Sequence, residues 1–328
     1  MDPGEQRVEF ETAADGGGRL DVVVLDFLAA DPEFAHVTRS QIKQWIEEGR
    51  VALDGETVQK AGSRVKGAQR VCLSIPPPAL PDAEPIEMPL SILYEDGSML
   101  VLNKPAGISM HSGAGGEGAT LVNGICWHLR GAPAAARCGL VHRLDKDTTG
   151  VVIVAKSAEA QAALARQFAE RTVEKQYAAL VFTTPRARRP VQLEKQGLIV
   201  TRLGRHPRRR TEMAVLPAGG REAVTAWERL EEMPYATLLA VRPKTGRTHQ
   251  IRVHMAHILS PIIGDRVYGD TSALPSELRR AADAFGRQAL HAERLACRHP
   301  VTGAALVFEA PPPEDFGRLL CVFREFRA

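Results

Sequence analysis

No apolar run in the 328-residue chain approaches the roughly 18 residues that a helix needs to cross a bilayer, so no membrane-spanning segment is expected. Cysteine is scarce. The five at 72, 126, 138, 297 and 321 form no CxxC pair, which argues against a disulfide framework or a cysteine-rich zinc site and fits a reducing cytosol. The N-terminal MDPGEQRVEFE is acidic and has no apolar stretch, so it does not read as a signal peptide. An excess of one charge is missing too: 42 Lys and Arg stand against 39 Asp and Glu, a net charge of +3. Bulk charge therefore says little about partners. No GxxxxGK[ST] phosphate loop and no HExxH zinc motif occur, and neither a nucleotide cofactor nor a metal is expected.

What is present is organised. Residues 1–17 read as a tail rich in Glu, Asp and Gly. A small α/β module is expected over 18–75. Leu20, Val24, Leu25 and Leu28 have helical spacing, and Thr38 is placed to cap a helix with Ile42, Trp45 and Ile46 on one face. Val51–Leu53 reads as a strand entering the turn Asp54-Gly55, and Val71–Ile75 as a closing strand. Prolines crowd 76–89, which marks a linker. Residues 90–328 form a second, mixed α and β domain. Strands are expected at Met99–Leu102, Val151–Ala155, Tyr177–Phe182 and Thr237–Val241. Helices are expected after Ser157 and over Phe316–Phe323, and Ile251–Ile258 is either a short helix or irregular.

Four stretches carry residues fit for chemistry. In HRLDKDTTG (142–150), Asp145 lies between Arg143 and Lys146, just before an apolar strand. Nearby cations favour the ionised carboxylate, which suits a nucleophile or a permanent charge; a structural ion pair would use the same residues. KTGRTHQIRVHMAH (244–257) supplies Lys244, Arg247 and Arg252, whose charge or planar fork can hold a phosphate or a carboxylate. Its His249, His254 and His257 raise a metal reading, but no acid accompanies them before Asp265. EKQY (174–177) puts Tyr177 at the head of a strand, as a base-stacking or a core residue. LNKPAGISMHSG (102–113) reads as a strand running into a fixed turn and a mobile, glycine-rich segment. Arg186–Arg210 holds nine Lys or Arg and one acid, Glu194, and is either a solvated loop or a phosphate-facing segment.

Taken together these stretches resemble the pseudouridine synthases of RNA, in particular their large ribosomal-subunit branch. VHRLDKDTTG is similar to that family's catalytic loop, EKQY to its tyrosine segment and GRTHQIRVH to its basic segment. LNKPAG, GDRVYG (264–269) and RQALHAERLACRHP (287–300) follow the same pattern. The module at 18–75 resembles the S4 RNA-binding domain through TRSQIKQWIEEGRVALDGE. The resemblance implies an α+β fold: a mixed, mainly antiparallel-sheet catalytic domain preceded by the S4-like module.

It further implies isomerisation of uridine to pseudouridine without a cofactor, in a stem-loop of large-subunit (23S) ribosomal RNA or of a pre-ribosomal particle, with tRNA the lesser alternative. The protein is expected to be a cytoplasmic monomer. Asp145, Tyr177 and Arg247 are then the expected catalytic residues, with Arg247 paired to Asp145. Arg39, Lys43, Arg50, Arg143, Arg208, Arg209, Arg210, Lys244 and Arg252 are the expected RNA contacts. Two rivals stand against this: a non-catalytic RNA-binding or ribosome-assembly protein, which would need no Asp145–Tyr177–Arg247 set, and a zinc hydrolase built on the three histidines.

Overall fold

The computed structural model describes residues 6–12, 17–29, 34, 37–75, 83–111, 118–130, 139–183, 194–209 and 211–327. The N-terminal module runs β1 (Gln6–Glu11), β2 (Gly18–Arg19), α1 (Leu20–Ala29), α2 (Arg39–Glu47), β3 (Val51–Leu53), β4 (Glu56–Thr57), β5 (Arg64–Val65) and β6 (Arg70–Ile75). The strands β1-β6-β3-β4 form an antiparallel sheet, and β2 pairs with β5. Leu20, Val24 and Leu28 of α1 and Ile42, Trp45 and Ile46 of α2 are buried with Val51, Val71 and Leu73. Thr38 and Gln41 close a reciprocal capping box at the start of α2. Asp54 and Gly55 both take positive φ, the conformation a tight two-residue hairpin turn requires.

One expectation is corrected here. Within 1–17, residues Gln6–Glu11 are not a tail but strand β1, paired along its length with β6. The alternation in Arg7-Val8-Glu9-Phe10-Glu11 explains it: Val8 and Phe10 pack on the module's core while the charges face outward. Of the linker, 76–82 lies outside the described residues, and 83–91 carries no helix or strand.

The second domain contains β7 (Ile92–Glu95), β8 (Met99–Lys104), α3 (Leu121–His128), β9 (Thr149–Ala155), α4 (Ala158–Ala169), β10 (Glu174–Phe182), β11 (Gln196–Arg205), β12 (Met213–Val215), β13 (Arg221–Met233), β14 (Ala236–Pro243), α5 (Gln250–His257), α6 (Ser276–Phe285), β15 (Leu290–Arg298), β16 (Ala305–Glu309) and α7 (Glu314–Glu325). Among the described residues one sheet runs β12-β11-β13-β14-β10-β15-β9-β8-β7, with β16 added to the far end of β15. Every pairing is antiparallel except β9 with β15.

Strand β9 is buried along its whole length. Val151, Ile153 and Ala155 face α4 through Ala160 and Leu164; Val152 and Val154 face α3 through Leu121 and Ile125. Burial on both faces is why this strand reads as an unbroken apolar run. The basic stretch 186–210 divides. Residues 184–193 and Arg210 lie outside the described residues, while Gln196–Arg205 is strand β11, made possible by its β-formers Leu198, Ile199, Val200 and Leu203. Cys72, Cys297 and Cys321 are free thiols, and Cys126 is disulfide-bonded, a link that the scattered spacing did not suggest.

The register sets the place of the chemistry. One row across the sheet reads Lys104, Gly150, Ala292, Tyr177, Val241, Trp227. Side chains in register share a face. Gly150 and Ala292 leave that face low between Lys104 and Tyr177, and Leu144, from the loop before β9, packs with Ala292 and Tyr177. Gly150 has φ +113, and a Cβ there would collide with the Ala292 carbonyl. The glycine that ends HRLDKDTTG is therefore what lets β9 lie against β15.

Candidate active site

The loop 142–148 is held from below by its own motif. The His142 ring accepts the Ile153 N–H at 2.9 Å and stacks on Phe168. Burial, with Lys175 nearby, pushes its pKa down to about 3, so the ring is neutral. Leu144 is buried, and the Asp145 carbonyl accepts the Thr148 N–H in a tight turn. Lys104 is buried at the end of β8, and its Nζ donates to the carbonyls of Pro105, Lys146 and Thr148 at 2.7–3.0 Å. Burial lowers its pKa to about 8 against the opposing pull of Asp147 and Asp145. Arg287 donates to the Asp147 carbonyl and grips Asp315 of α7 with two nitrogens. Gln288 donates to the Thr148 hydroxyl, and His291, whose Nε2–H is committed to the Ala310 carbonyl, accepts from the Thr149 hydroxyl. Successive loop residues are thus fastened, and the Asp145 side chain remains partly open, at 18% exposure.

The basic partner of that carboxylate is Arg252, not Arg247. Arg252 Nη1 donates to Asp145 Oδ2 at 3.2 Å, while Nε and Nη2 donate to the two oxygens of Asp265 at 2.7 and 2.9 Å. Asp265 is fully buried and also accepts the backbone N–H groups of Val267 and Tyr268. Its carboxyl sits below the ordinary range: burial alone would raise it, but the bonds from Arg252 outweigh that. Burial likewise opposes the charge on Arg252, yet its bonds to Asp265 and the charge of Asp145 lift it above its usual value. The Arg252 guanidinium also lies over the Tyr268 ring, 5.0 Å from its centre. Arg252 was expected to meet RNA; the structure places it buried and bonded to both Asp145 and Asp265.

Arg247 lies just outside α5. Its Nε donates to the Glu222 carbonyl at 3.0 Å, and its neighbours are Arg171 and Arg221. The expected pair with Asp145 fails because Arg247 precedes the helix while Arg252 projects from its buried face. Tyr177 is half-buried beside the loop, and burial together with the Asp145 charge pushes its phenol above the usual range, so it stays protonated at neutral pH.

The other expected contacts differ in what they are free to do. Arg143, Lys43, Lys244 and Arg208 are exposed. Arg209 pairs with Glu212 in the turn between β11 and β12. Arg39 is committed with Arg19 to the buried Asp21, whose pKa these bonds lower to about 2 against its burial. Arg50 pairs with Glu48. Arg210 and the glycines of 112–117 lie outside the described residues.

The three histidines do not converge. His254 is buried with both ring nitrogens on the hydroxyls of Thr201 and Thr225, and His249 Nδ1 meets the Tyr268 hydroxyl. Lys104, Asp265 and Arg287 went unnoticed in the sequence as site residues. The signal available was a lysine closing an otherwise apolar strand and two charged residues inside the quoted GDRVYG and RQALHAERL stretches.

This geometry can be set beside known proteins. The RNA pseudouridylate synthase profile matches residues 98–257, and the S4 domain profile matches 34–71. The chain is 42% identical over 317 residues to the ribosomal large subunit pseudouridine synthase D of Xanthomonas campestris pv. campestris, covering 94% of this chain and 90% of that protein. It is 43% identical to the protein of the same name from Xylella fastidiosa, covering 96% and 92%. The chain belongs to the RNA pseudouridylate synthase family. Among solved structures, Human RNA Pseudouridylate Synthase Domain Containing 1 superposes with a TM-score of 0.54 at 26% identity, covering 69% of this chain and 84% of that one. The shared fold is the mixed, mainly antiparallel sheet described above. The matched region takes in the Asp145 loop, Tyr177 and Arg252 but ends before Asp265.

Proposed function

We propose that this chain converts uridines of large-subunit ribosomal RNA to pseudouridine, with Asp145 as the group that opens the reaction. The observation that carries the reading is a partly open carboxylate bonded to a buried arginine that is itself fixed by a second, fully buried carboxylate. Such an arrangement holds one charged oxygen in place with little reorganisation left for the reaction. Asp145 either attacks the ribose or removes a ribose proton. The N-glycosidic bond breaks, the uracil turns, a carbon–carbon bond to the ribose forms, and the proton on carbon five is released. Substrate and product are isomers, so no cofactor is consumed. Tyr177, a neutral phenol, stacks on the uracil or donates to it, and its raised pKa disfavours a phenolate base.

The target must leave its stack, which costs a few kcal/mol in a duplex and less in a loop, so a stem-loop is favoured. The S4 module and the basic β11–β12 turn add backbone affinity. One copy of the chain suffices as the acting unit, since Asp145, Tyr177, Arg252 and Asp265 all come from it. In a bacterial cell the substrate is in the cytoplasm.

The test is nucleotide-resolution pseudouridine mapping of in vitro transcribed large-subunit RNA, with tRNA in parallel, after incubation with wild type or Asp145→Asn. Wild type should modify discrete uridines in the ribosomal RNA, and Asp145→Asn should bind but modify none. Turnover by Asp145→Asn would remove Asp145 from the mechanism. Modification confined to tRNA would overturn the substrate.

A further inference from the structure

We propose that Arg171, Lys175, Arg221, Lys244 and Arg247 form a phosphate-binding surface beside Asp145, which grips the RNA backbone flanking the target nucleotide. The inference rests on the reading above and adds where the strand lies. Four segments bring these cations together: the turn after α4, the head of β10, the head of β13 and the turn from β14 into α5. Arg247 Nε is anchored to the Glu222 carbonyl, and Arg171 Nη1 stands 3.6 Å from the Glu222 carboxylate. Arg171 and Glu222 are both about half exposed. Arg171 takes φ +62 as the residue that stops α4, with its N–H on the Phe168 carbonyl and that of Thr172 on the Gln167 carbonyl, which fixes where its charge leaves the helix end.

The like charges are close enough to act on each other. Burial first, then Arg221 and Arg171, press the Arg247 guanidinium down from its usual value; burial and Lys244 do the same to Lys175. The Lys175 side chain is half-buried, its Nζ 5.8 Å from the centre of the Phe168 ring, and among the described residues it forms no ion pair. Crowding cations around one acid is unfavourable in the free protein, and a phosphate placed among them removes the repulsion. The surface also borders the reaction. Lys175 stands at the head of the strand that carries Tyr177, and Lys244 and Arg247 lie in the turn that leads into α5, the helix that carries Arg252. A chain of evenly spaced phosphates, not a single anion, matches cations spread over four segments.

The test is the salt dependence of binding to protein-free large-subunit RNA, measured with the full chain by filter binding. For single-stranded RNA each lost phosphate contact lowers the slope of log affinity against log salt by about 0.7. Arg171→Gln with Arg221→Gln should flatten the slope by about 1.4 and weaken binding about fourfold per contact at 0.15 M relative to 1 M salt. Glu222→Gln should tighten binding, a gain that damage to the scaffold cannot give. Lys175→Gln should flatten the slope, and Lys175→Arg should restore it.

Unchanged slopes, or weaker binding without a change of slope, would overturn the surface. So would Glu222→Gln binding no tighter than wild type. The slope is read without turnover, so a wild type that failed to isomerise the RNA would sink the role of Asp145 and leave the slopes to decide this surface.

Discussion

Arg247 and Arg252 are five residues apart, and nothing in their charge separates them. The helix does. It begins after His249, whose φ of +54 turns the chain, so Arg252 points into the interior and Arg247 stays at the rim. Arg252 holds Asp145 and Asp265 through three nitrogens of one planar group, which an ammonium cannot do. Arg252→Lys should therefore lower the single-turnover rate by roughly 100-fold or more, while Arg247→Lys changes it by only a few-fold. Equal losses would return Arg247 to the catalytic set.

Asp265 gives a stability test of the same group. Removing one partner of a buried ion pair costs about 3–5 kcal/mol, so Asp265→Ala should show that loss in chemical denaturation. Its lowered carboxyl means that the native state resists protonation more than the unfolded state does. The stability it contributes is full above the ordinary carboxylate range and is lost as pH falls through the folded value. The charge cluster at Asp145 was legible in the sequence because neighbours in sequence were neighbours in space. The Asp265 link was not, because it depends on where a turn 13 residues beyond Arg252 folds back.

At the scale of elements, strands with an apolar run and helices with a capping residue could be read directly. β9 follows its apolar run Val151–Ala155, and α2 and α4 begin where Thr38 and Ser157 cap them. β13 was passed over although Ala223, Thr225 and Trp227 alternate inward, because the apolar Val224 and Ala226 between them blur the alternation and charged residues flank the run on both sides. β11 was obscured by its arginines. The Asp145 loop shows why a motif can be read as chemistry while much of it is scaffold: His142, Leu144, Thr148, Thr149 and Gly150 all face the protein.

The His142 ring has a folded pKa of about 3, below its ordinary value near 6.5, so only the unfolded state takes up a proton between those values. Stability from this site is full above about pH 6.5 and falls as pH drops toward 3. His142→Gln should flatten that acid limb in denaturation curves taken from pH 7 to 4. Lys104 acts with the same sign on the alkaline side. With a folded pKa of about 8 and an unfolded one near 10.5, stability rises as pH moves from 8 to 10.5, because the unfolded state then holds the extra proton. Lys104→Met strands three carbonyls and should cost roughly 2–4 kcal/mol of unfolding free energy.

For the whole molecule the question is how two units divide the work. The S4 module has its own core of Leu20, Ile42, Trp45, Val71 and Leu73, which shares no residue with the core clusters around the Asp145 loop. Two of its three expected phosphate contacts are spoken for, Arg39 by the buried Asp21 and Arg50 by Glu48, which leaves Lys43 exposed on α2. The module's arginine count therefore overstates the cations it holds without an acidic partner. The cations around Glu222, by contrast, belong to the catalytic domain itself. Removal of residues 1–75 should then raise KM for large-subunit RNA several-fold and make binding less sensitive to salt, while kcat at saturating RNA stays within about twofold, since none of the groups that touch Asp145 is lost. Steady-state kinetics at two salt concentrations on the full and shortened chains decide it. A collapse of kcat would mean that the module shapes the active site, and an unchanged KM with an unchanged salt response would mean that it does not hold this RNA at all.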